Sequence, residues 1–338
     1  MKQGVIIAGG GLAGLALGLG LRRRGVPVTL HEAASYPRHR VCGEFISGVG
    51  EATLEALDLT DDLADAARHR SVVWYRKGRK ILEDELPVPA LGISRHRLDQ
   101  RLAARLRERG GEVVEDSRFP REPKPGVVWA AGRIPAKGGW VGLKCHLQDF
   151  PMSRGLEMHL GSNGYLGLSP VEDGRVNACG LFRVDRSLRA KGSDLLLEYL
   201  RRGGHEALAG RMQSARRDED SFLGVAGFRL GWQTEEPGVC AIGDAAGMIP
   251  PFTGNGMSMA LESSELALEP IAAWSGGSCE WSEVIEVVRR DARRRFRRRL
   301  TNAMAIHRVL LHGVGQQVLE WTARSGLLPF RPLLSLVR

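Results

Sequence analysis

The chain has 338 residues, of which 43% are hydrophobic and 26% are charged, with a formal net charge of +9 at pH 7. This composition is typical of an ordinary soluble globular protein with two domains or one elaborated domain, and it excludes a low-complexity chain. The five cysteines are scattered and none forms a C-x-x-C pair, so the sequence predicts neither a disulfide framework nor a zinc site or other metal. A reducing, cytoplasmic location is expected.

The first predicted unit begins with an uncharged stretch, GVIIAGGGLAGLALGLGL at residues 4–21. A signal peptide or a membrane span would also be uncharged, but seven of these eighteen residues are glycine, which weakens a helix. Because the glycines follow a β-branched run, we predict a strand, a tight turn and a helix. Gly9, Gly11 and Gly14 form the G-x-G-x-x-G pattern, and the amides of Leu12 and Ala13 open the helix where a phosphate would bind.

A second predicted strand, VPVTLHE, ends at Glu32, 18 residues after Gly14. An acidic residue at this position fits the ribose hydroxyls of an adenine dinucleotide, and its charge would repel a 2′-phosphate. The pattern therefore favours FAD or NAD over NADP. Export is disfavoured, since cleavage of the first segment would destroy the βαβ unit.

Glycine-bearing turns predict hairpins in the middle of the chain. They are Lys77-Gly78 in SVVWYRKGRKIL, Asn163-Gly164 in EMHLGSNGYLGLS and Asp173-Gly174 in SPVEDGRVNACGLF. We expect one antiparallel sheet that interrupts the nucleotide-binding unit and faces its ligand. The apolar residues expected to line or back a pocket, or else to form the sheet core, are Trp74, Met158, Tyr165, Leu166, Leu168 and Phe182. An apolar wall of this kind suits a hydrophobic substrate.

A second glycine-rich segment follows, GVCAIGDAAGMIPPFTGNGMSMALESSELA. Residues 239–242 predict a buried strand that ends at Gly243-Asp244, and Pro250-Pro251 stiffens the loop after it. Gly254-Asn255-Gly256 then opens a helix.

Together, the two glycine segments resemble the FAD-dependent oxidoreductases with the para-hydroxybenzoate hydroxylase fold, which include aromatic hydroxylases, flavin halogenases and geranylgeranyl reductases. The resemblance implies that Asp244, next to Gly243, holds the ribityl chain of FAD. It also implies that the loop with Pro251, Gly254, Asn255 and Gly256 presents backbone amides to the flavin ring. A helix N-terminus there would stabilise the negative charge of reduced flavin.

Three further segments extend the resemblance. YPRHRVCGEFIS is similar to the R-x-C-G-E pattern of the reductase and halogenase branches, which implies that Arg40 contacts FAD. Arg95, which leads the predicted helix in ISRHRLDQRLAARLRERG, matches another FAD contact of the family. GVVWAAGR resembles the family's central strand and implies that Gly132 passes close to the adenosine side. Cys42 also fits a small buried hydrophobic residue.

One departure from the family pattern lies between Val114 and Gly126. Only EDSRFPREPKP stands where members of the family commonly insert a three-stranded β-meander. We therefore expect a less covered adenine edge and weaker retention of FAD than in relatives with the meander.

The excess positive charge is concentrated in RRDARRRFRRRL, residues 289–300, which has eight arginines and one aspartate. Apolar residues recur at helical spacing through this region at Val284, Val288, Ala292, Phe296, Leu300 and Met304. The arginines therefore form either a solvated helix face or a peripheral contact with an anionic membrane or an acidic partner. Nucleic acid is not expected as a partner, because no aromatic stacking platform or binding motif accompanies the charge.

These observations predict an α/β fold with a Rossmann-like FAD-binding domain, an inserted antiparallel β-sheet substrate domain and C-terminal helices. The FAD-binding domain is expected at residues 1–70, 92–139 and 223–275, the substrate domain at 71–91 and 140–222, and the helical segment at 276–338.

The expected activity is that of an FAD-dependent oxidoreductase, monooxygenase-like, which oxidises a hydrophobic small molecule. The alternatives are a geranylgeranyl-reductase-like enzyme that reduces C=C bonds of an isoprenoid or similar lipid, and a non-catalytic flavoprotein that binds a partner. Because no second G-x-G-x-x-G exists, electrons would come from NAD(P)H bound transiently or from a partner protein. Halogenation is disfavoured because the W-x-W-x-I-P signature is absent. No catalytic residue is assigned; Cys42, His96, Lys144 and His146 are candidates by position only.

Overall fold

The computed structural model describes residues 1–233 and 235–338. Its strands, in chain order, are Val5–Ala8 (β1), Val28–His31 (β2), Phe45–Ile46 (β3), Ala67–Arg76 (β4), Arg79–Gly92 (β5), Glu112–Val114 (β6), Val127–Trp129 (β7), Trp140–Gln148 (β8), Leu156–Leu160 (β9), Gly164–Pro170 (β10), Val176–Arg183 (β11), Arg216–Ala226 (β12), Gly231–Trp232 (β13), Cys240–Ala241 (β14) and Gly247–Met248 (β15). Its α-helices are Leu12–Arg23 (α1), Glu51–Ala56 (α2), Arg95–Glu108 (α3), Asp194–Arg202 (α4), Glu206–Ser214 (α5), Gly256–Ser275 (α6), Trp281–Leu310 (α7), Gly313–Arg324 (α8) and Phe330–Ser335 (α9).

The nucleotide-binding unit is built on a parallel sheet with strand order β14-β7-β1-β2-β6. Its central strands carry short apolar runs, as expected for a parallel sheet covered on both faces. Val5 of β1 lies opposite Val28 of β2, and Ile6 lies opposite Val127 of β7. Helices α1, α3 and α6 pack into the core of this unit. The predicted Rossmann-like arrangement is confirmed.

The short connection between β6 and β7 forms no strand in the described residues. The absence of a β-meander at this edge is therefore confirmed, and β6 is left as the edge strand of the parallel sheet. The weaker retention of FAD expected from this edge stays a prediction.

The inserted sheet has strand order β12-β8-β11-β10-β9-β4-β5-β3. The three predicted turns connect antiparallel neighbours within it, at Lys77-Gly78, at Asn163-Gly164 and at Asp173-Gly174. The prediction of a purely antiparallel sheet is wrong in one place, because β4 and β9 pair in parallel. The chain leaves the sheet after β5 to form α3, β6 and β7 and then returns at β8, so the orientation of β9 against β4 is not set by a hairpin.

The arginine-rich segment lies in α7, whose apolar face packs inward. Val284, Val288, Ala292, Phe296 and Leu300 are buried, as the helical spacing predicts. Within the residues that the structure describes, none of the helices combines the length and the apolar character needed to cross a bilayer.

Candidate functional site

The first glycine turn connects β1 to α1 through Gly9, Gly10 and Gly11. Gly9 has φ of +116°, and a Cβ there would lie 2.5 Å from the backbone of Ala130. A Cβ on Gly14 would lie 2.0 Å from the carbonyl oxygen of Gly9. Both positions therefore require glycine, one for the turn and one for the close contact of helix and turn.

The outer side of this turn remains open. A Cβ on Gly11 would meet only the Arg95 guanidinium, at 3.7 Å. No side chain caps the N-terminus of α1, so the amides that open the helix at Leu12 and Ala13 have no side-chain acceptor. Unsatisfied amides at a helix N-terminus are suited to bind a phosphate.

Glu32 directly follows β2 and lies beside the glycine turn. Its side chain is buried, and its Oε2 accepts a hydrogen bond from the Gly10 N–H at 2.8 Å. Its Oε1 pairs with Arg38 at 2.9 Å, and its Oε2 lies 3.2 Å from Arg40. The carboxylate therefore lies at the position that the βαβ pattern predicts for a ribose partner.

Arg40 and Arg95 meet at a common carboxylate, Asp99, which is fully buried. Arg40 Nε lies 2.8 Å from Asp99 Oδ2, and Arg95 makes a two-point contact with Asp99 at 2.7 and 2.8 Å. Arg40 also donates to the carbonyl oxygen of Gly10 at 3.2 Å. Both arginines are thus held at the first glycine turn. Asp99 is a site residue that the sequence analysis missed, although its i+4 spacing from Arg95 was visible.

The second glycine turn packs directly against the first unit. Gly243 has φ of +61°, and a Cβ there would lie 2.9 Å from the Cβ of Ala13 in α1. The Gly243 N–H donates to Ser263 Oγ at 2.9 Å, and Ser264 Oγ donates to the Ala13 carbonyl at 2.8 Å. The two motifs, far apart in the chain, therefore converge on one place.

Asp244 follows Gly243 and has no hydrogen-bonding or ionic partner for its carboxylate among the described residues. Burial raises the pKa of Asp244 to about 6, and the positive charge of Arg95 opposes this rise. The Asp244 side chain is half-buried, and carboxylates that are removed from water ordinarily have hydrogen-bond donors. An unpartnered one at this position fits a ligand that supplies hydroxyl groups, such as the ribityl chain of FAD.

The loop before α6 begins with a 3-10 turn at Pro251–Thr253. Gly254 has φ of +64°, and a Cβ there would lie 2.6 Å from the Phe45 ring. A Cβ on Gly256 would meet nothing within 4 Å, and no side chain caps α6. The N-terminus of α6 therefore has open space around it, as a flavin ring would need.

Asn255 in this loop is held by the end of the chain. Its Nδ2 donates to the Thr253 carbonyl at 3.0 Å and to the Val337 carbonyl at 2.8 Å. Arg338 donates to Ser47 Oγ at 2.5 Å on the same side. This contact was not predicted, because nothing in the local sequence of the tail indicates where it packs.

Gly132 follows β7, with φ of +76° and open space around a hypothetical Cβ. The preceding Ala130 and Ala131 contact Gly9, so Gly132 lies next to the first turn. Apart from the loop before α6, the predicted cofactor residues thus lie on the two converging turns or on segments that contact them.

The inserted sheet has a helix-covered face and a face toward the glycine loops. Tyr165 Oη accepts a hydrogen bond from the Phe252 N–H at 3.2 Å, so β10 lies beside the α6 loop. Cys179, Gly167 and Met158 lie on this face and are half-buried although their strands have neighbours on both sides, so part of this face is accessible.

Of the two alternatives predicted for the apolar strand residues, pocket wall or sheet core, three residues follow the second. Leu166, Leu168 and Phe182 lie on the opposite face of the sheet, in the core formed with α4 and α5. Strand residues alternate between faces, so Tyr165 and Leu166 cannot both face the pocket. Trp74, Met158 and Tyr165 do share one apolar cluster with Phe252 on the loop side.

Two of the four candidates for catalysis meet a common carboxylate. Lys144 and His146 on β8 both contact Glu44, and His96 at the start of α3 stacks on His39. One imidazole nitrogen each of His39 and His146 and one carboxylate oxygen of Glu44, which are atom types that can bind a metal ion, lie within 4.8 Å of one another. Cys42 Sγ accepts a weak hydrogen bond from the Glu44 N–H at 3.4 Å. Glu44 and His39 were not among the predicted candidates, although Glu44 completes the R-x-C-G-E pattern.

Comparison with known proteins supports this reading of the fold. No protein-family model matches the chain. A menaquinone reductase of Mycobacterium tuberculosis is 25% identical over 319 residues, which cover 78% of this chain and 75% of the relative.

Two solved structures of similar fold are a monooxygenase and a reductase-like protein. A p-nitrophenol 4-monooxygenase from Pseudomonas putida has a TM-score of 0.75 and 16% identity, covering 98% of each chain. A geranylgeranyl bacteriochlorophyll reductase-like protein from Thermoplasma acidophilum has a TM-score of 0.74 and 18% identity, covering 99% of this chain and 95% of the other. The chain therefore has the para-hydroxybenzoate hydroxylase fold, as its two glycine segments predict.

Proposed function

We propose that the chain is an FAD-dependent oxidoreductase, monooxygenase-like, that oxidises a hydrophobic small molecule. The observation that carries the proposal is the convergence of Gly243 on Ala13, which brings the unpartnered Asp244 carboxylate to the open glycine turn. Asp244 is half-buried, and no donor among the described residues replaces the water that its carboxylate has lost, which favours a ligand that donates hydrogen bonds there.

The proposed cofactor contacts are those with open space or free polar groups toward the turn. The pyrophosphate would bind the amides of Gly11, Leu12 and Ala13, with Gly9 and Gly14 shaping the turn. The ribose would bind Glu32, and the ribityl chain would bind Asp244. The other proposed contacts are Arg40, Arg95, Gly132, Gly243, Pro251, Gly254, Asn255 and Gly256. When bound, FAD would supply two-electron transfer, and the chain would supply orientation and electrostatics.

The proposed substrate surface is the loop-facing side of the inserted sheet. Trp74, Met158, Tyr165 and Phe252 give it an apolar wall, and this wall favours a hydrophobic molecule. The monooxygenase relative acts on p-nitrophenol, an aromatic compound. Electrons would come from NAD(P)H bound transiently or from a protein donor, because the sequence has one dinucleotide pattern.

A second candidate function is reduction of C=C bonds in an isoprenoid or similar lipid. The R-x-C-G-E segment favours it, since it places Cys42 and Glu44 between the cofactor turn and the inserted sheet. Two of the similar proteins carry names of reductases with isoprenoid-bearing compounds, the menaquinone reductase and the geranylgeranyl bacteriochlorophyll reductase-like protein. A third candidate, a non-catalytic flavoprotein that binds a partner, would be excluded by any measurable turnover.

We also propose peripheral membrane contact, made by helix α8 and not by the arginine-rich helix that the sequence suggested. The arginine-rich α7 is a poor contact, because much of its charge is paired: Arg293 lies 2.6 Å from Glu235, and Arg299 lies 2.9 Å from Glu262. The following helix α8 instead presents Val314, Val318 and Trp321 on one face, 56–65% exposed.

The membrane proposal has a matched test in two exposed valines. Val318→Glu in α8 is expected to weaken binding of the FAD-loaded protein to phosphatidylglycerol vesicles about tenfold, because a carboxylate would replace an inserting side chain. Val88→Glu, at an equally exposed position on β5, is expected to bind as the wild type does. Equal binding of both variants and wild type would contradict contact through α8. A cytoplasmic location is part of the same proposal and agrees with five free cysteines.

The proposed activity is tested by loading the protein with FAD and reducing it without oxygen. Oxygen is then admitted to one sample and menaquinone to another. Monooxygenase chemistry predicts a transient absorbance before the oxidised flavin spectrum returns under oxygen. Alkene reduction predicts reoxidation by menaquinone and a product that is still two hydrogens heavier by mass spectrometry after air has returned any quinol to the quinone. A folded protein that stays colourless with added FAD would contradict both.

A further inference from the structure

A buried cluster of ionisable side chains lies under the R-x-C-G-E segment. Lys144 Nζ is 3.2 Å from Glu44 Oε1, and His146 Nε2 is 2.6 Å from Glu44 Oε2. Lys144 Nζ is also 3.0 Å from His39 Nδ1. The cluster thus forms one connected path from His39 through Lys144 and Glu44 to His146.

The cluster is too deeply buried to be explained by stability alone. The side chains of Lys144, Glu44 and His146 are all 0% exposed. Removing charges from water costs several kcal/mol per ion, and apolar residues at such sites are often equally or more stabilising. Burial would raise the pKa of Glu44, but His146, Lys144 and the Arg95 N–H lower it below the ordinary value, so the carboxylate stays ionised.

One end of the path has a free nitrogen. His146 Nδ1 is buried and has no hydrogen-bond partner in the described residues. Asn177, directly opposite on β11, has a buried and unpartnered Oδ1. A carboxylate that holds one imidazole nitrogen orients the ring and stabilises its protonated form, which leaves the other nitrogen to exchange a proton.

The other end of the path reaches the surface. His39 and His96 are partly exposed, and their rings stack at 4.5 Å. Burial, together with the nearby Lys144 charge, lowers the pKa of His39 to about 4. His39 is therefore neutral near pH 7, so its Nδ1 accepts a hydrogen bond from the Lys144 ammonium.

The cluster borders both the cofactor turn and the sheet surface. The Arg95 N–H donates to Glu44 at 3.0 Å, while the Arg95 guanidinium lies at Gly11 of the turn. Lys144 is the cross-strand partner of Cys179, which is half-buried on the loop-facing side. The ammonium of Lys144 also occupies the space between His39 and Glu44, where a metal ion would have to displace it.

We propose that Lys144 and His146, positioned by Glu44, supply the proton that the reaction consumes and regain it from solvent through His39 and His96. This inference rests on the proposed function. Reduction of a C=C bond adds one hydride and one proton to two carbons, with the hydride from the reduced cofactor. Monooxygenation with a nicotinamide donor likewise consumes one proton, as the second oxygen atom leaves as water. In both cases the cluster gives up one proton per turnover and takes up one proton from solvent water.

The charges that surround this path set its behaviour with pH. The titratable and charged groups that face it from neighbouring elements are Cys42, Arg95, His96, Glu172, Arg175 and Cys179. Arg95 and Arg175 oppose an added proton, while Glu172 favours one.

The inference is tested on the FAD-loaded protein with whichever acceptor, oxygen or menaquinone, reoxidises the wild-type flavin. Glu44→Gln and Lys144→Met are expected to slow reoxidation at least tenfold and to change its pH profile and solvent deuterium isotope effect. His39→Asn, at the solvent end, is expected to act in the same direction without removing a buried charge, because an asparagine oxygen can still accept from the Lys144 ammonium. FAD affinity and the rate of flavin reduction should stay within about twofold of wild type.

The matched control is another buried carboxylate–histidine pair in the same sheet. Glu157 Oε2 lies 3.0 Å from His159 Nε2, on the face away from Met158. Glu157→Gln should leave reoxidation and its isotope effect unchanged.

The inference is overturned if the cluster variants that fold reoxidise as wild type does, or if Glu157→Gln slows reoxidation equally. Failure to bind FAD would instead overturn the proposed function. If the buried variants do not fold, His39→Asn alone decides.

Discussion

Ser264 Oγ donates a hydrogen bond to the carbonyl oxygen of Ala13 at 2.8 Å, across 251 residues of sequence. This bond joins α6 to the first turn of α1, and each helix begins at one of the two glycine motifs. The relative position of the two turns therefore depends on side-chain packing between two helices rather than on a local loop.

The contact between Gly243 and Ala13 gives the first prediction. Gly243→Ala would place a methyl group 2.9 Å from the Ala13 Cβ at a φ of +61°, so we expect a loss of about 2–3 kcal/mol in the free energy of unfolding. Because the turns would move apart, FAD affinity should fall at least about tenfold. Gly277→Ala is the control, since Gly277 has φ of +79° but open space around it. Urea unfolding and fluorescence titration with FAD measure both effects; equal losses in the two variants would mean that backbone strain alone acts.

The second prediction concerns the charge of Glu32. Glu32→Gln keeps an acceptor for the Gly10 N–H but removes the charge that faces Arg38 and Arg40. We expect FAD to bind about tenfold more weakly, because a hydrogen bond from a ribose hydroxyl to a carboxylate is stronger than one to an amide. Isothermal titration with FAD checks this, with the exposed Glu55→Gln as control. Unchanged affinity would remove Glu32 from the ribose site.

Asp244 gives a prediction with opposite signs for stability and binding. Its folded-state pKa of about 6 lies above its ordinary value, so its contribution to stability is present at low pH and is lost as the pH rises through 6. Asp244→Asn should therefore stabilise the FAD-free protein on the order of 1–2 kcal/mol at pH 7.5, with no gain below about pH 4. The same change should weaken FAD binding, because a charged acceptor is lost.

Denaturant unfolding at the two pH values, followed by FAD titration, tests this pair of effects. The exposed Asp220→Asn should change neither quantity. A destabilised Asp244→Asn protein at pH 7.5 would show that the carboxylate already has a favourable partner in the FAD-free protein.

The sequence predicted those parts of the site that depend on local backbone requirements. Gly14 is required by its close contact with Gly9 in the same βαβ unit, Gly9 has a φ of +116° in the turn itself, and Glu32 follows from the length of that unit, so a pattern of spacing was sufficient. Positions on the inserted sheet were less accessible, because alternation fixes that Tyr165 and Leu166 face opposite sides but not which side α4 and α5 cover.

Long-range polar contacts could not be predicted in the same way. Glu44 meets Lys144 and His146 across about 100 residues, and Asn255 meets the Val337 carbonyl across 82. Such contacts are set by the packing of whole elements, and single polar residues in a sequence carry no sign of their partners. The cluster was therefore visible only as separate candidates.

The last prediction concerns acid stability and His307. This imidazole is buried against Tyr165 and Phe252, and neither of its nitrogens has a hydrogen-bond partner in the described residues. Burial, with the charge of Arg183, lowers the pKa of His307 to about 4, so the unfolded chain takes up a proton near pH 6.5 that the folded protein refuses. Stability is therefore lost as the pH falls from about 6.5 to 4. His307→Leu should remove this pH dependence. The free energy of unfolding of the variant should therefore fall by about 1–2 kcal/mol less than that of wild type between pH 7.5 and 5. Urea unfolding at both pH values measures the difference. His312→Leu, at a residue on the surface near the start of α8, should follow the wild-type pH dependence. If His307→Leu and wild type lose equal stability on acidification, the buried imidazole must be protonated in the folded protein and must have a partner there.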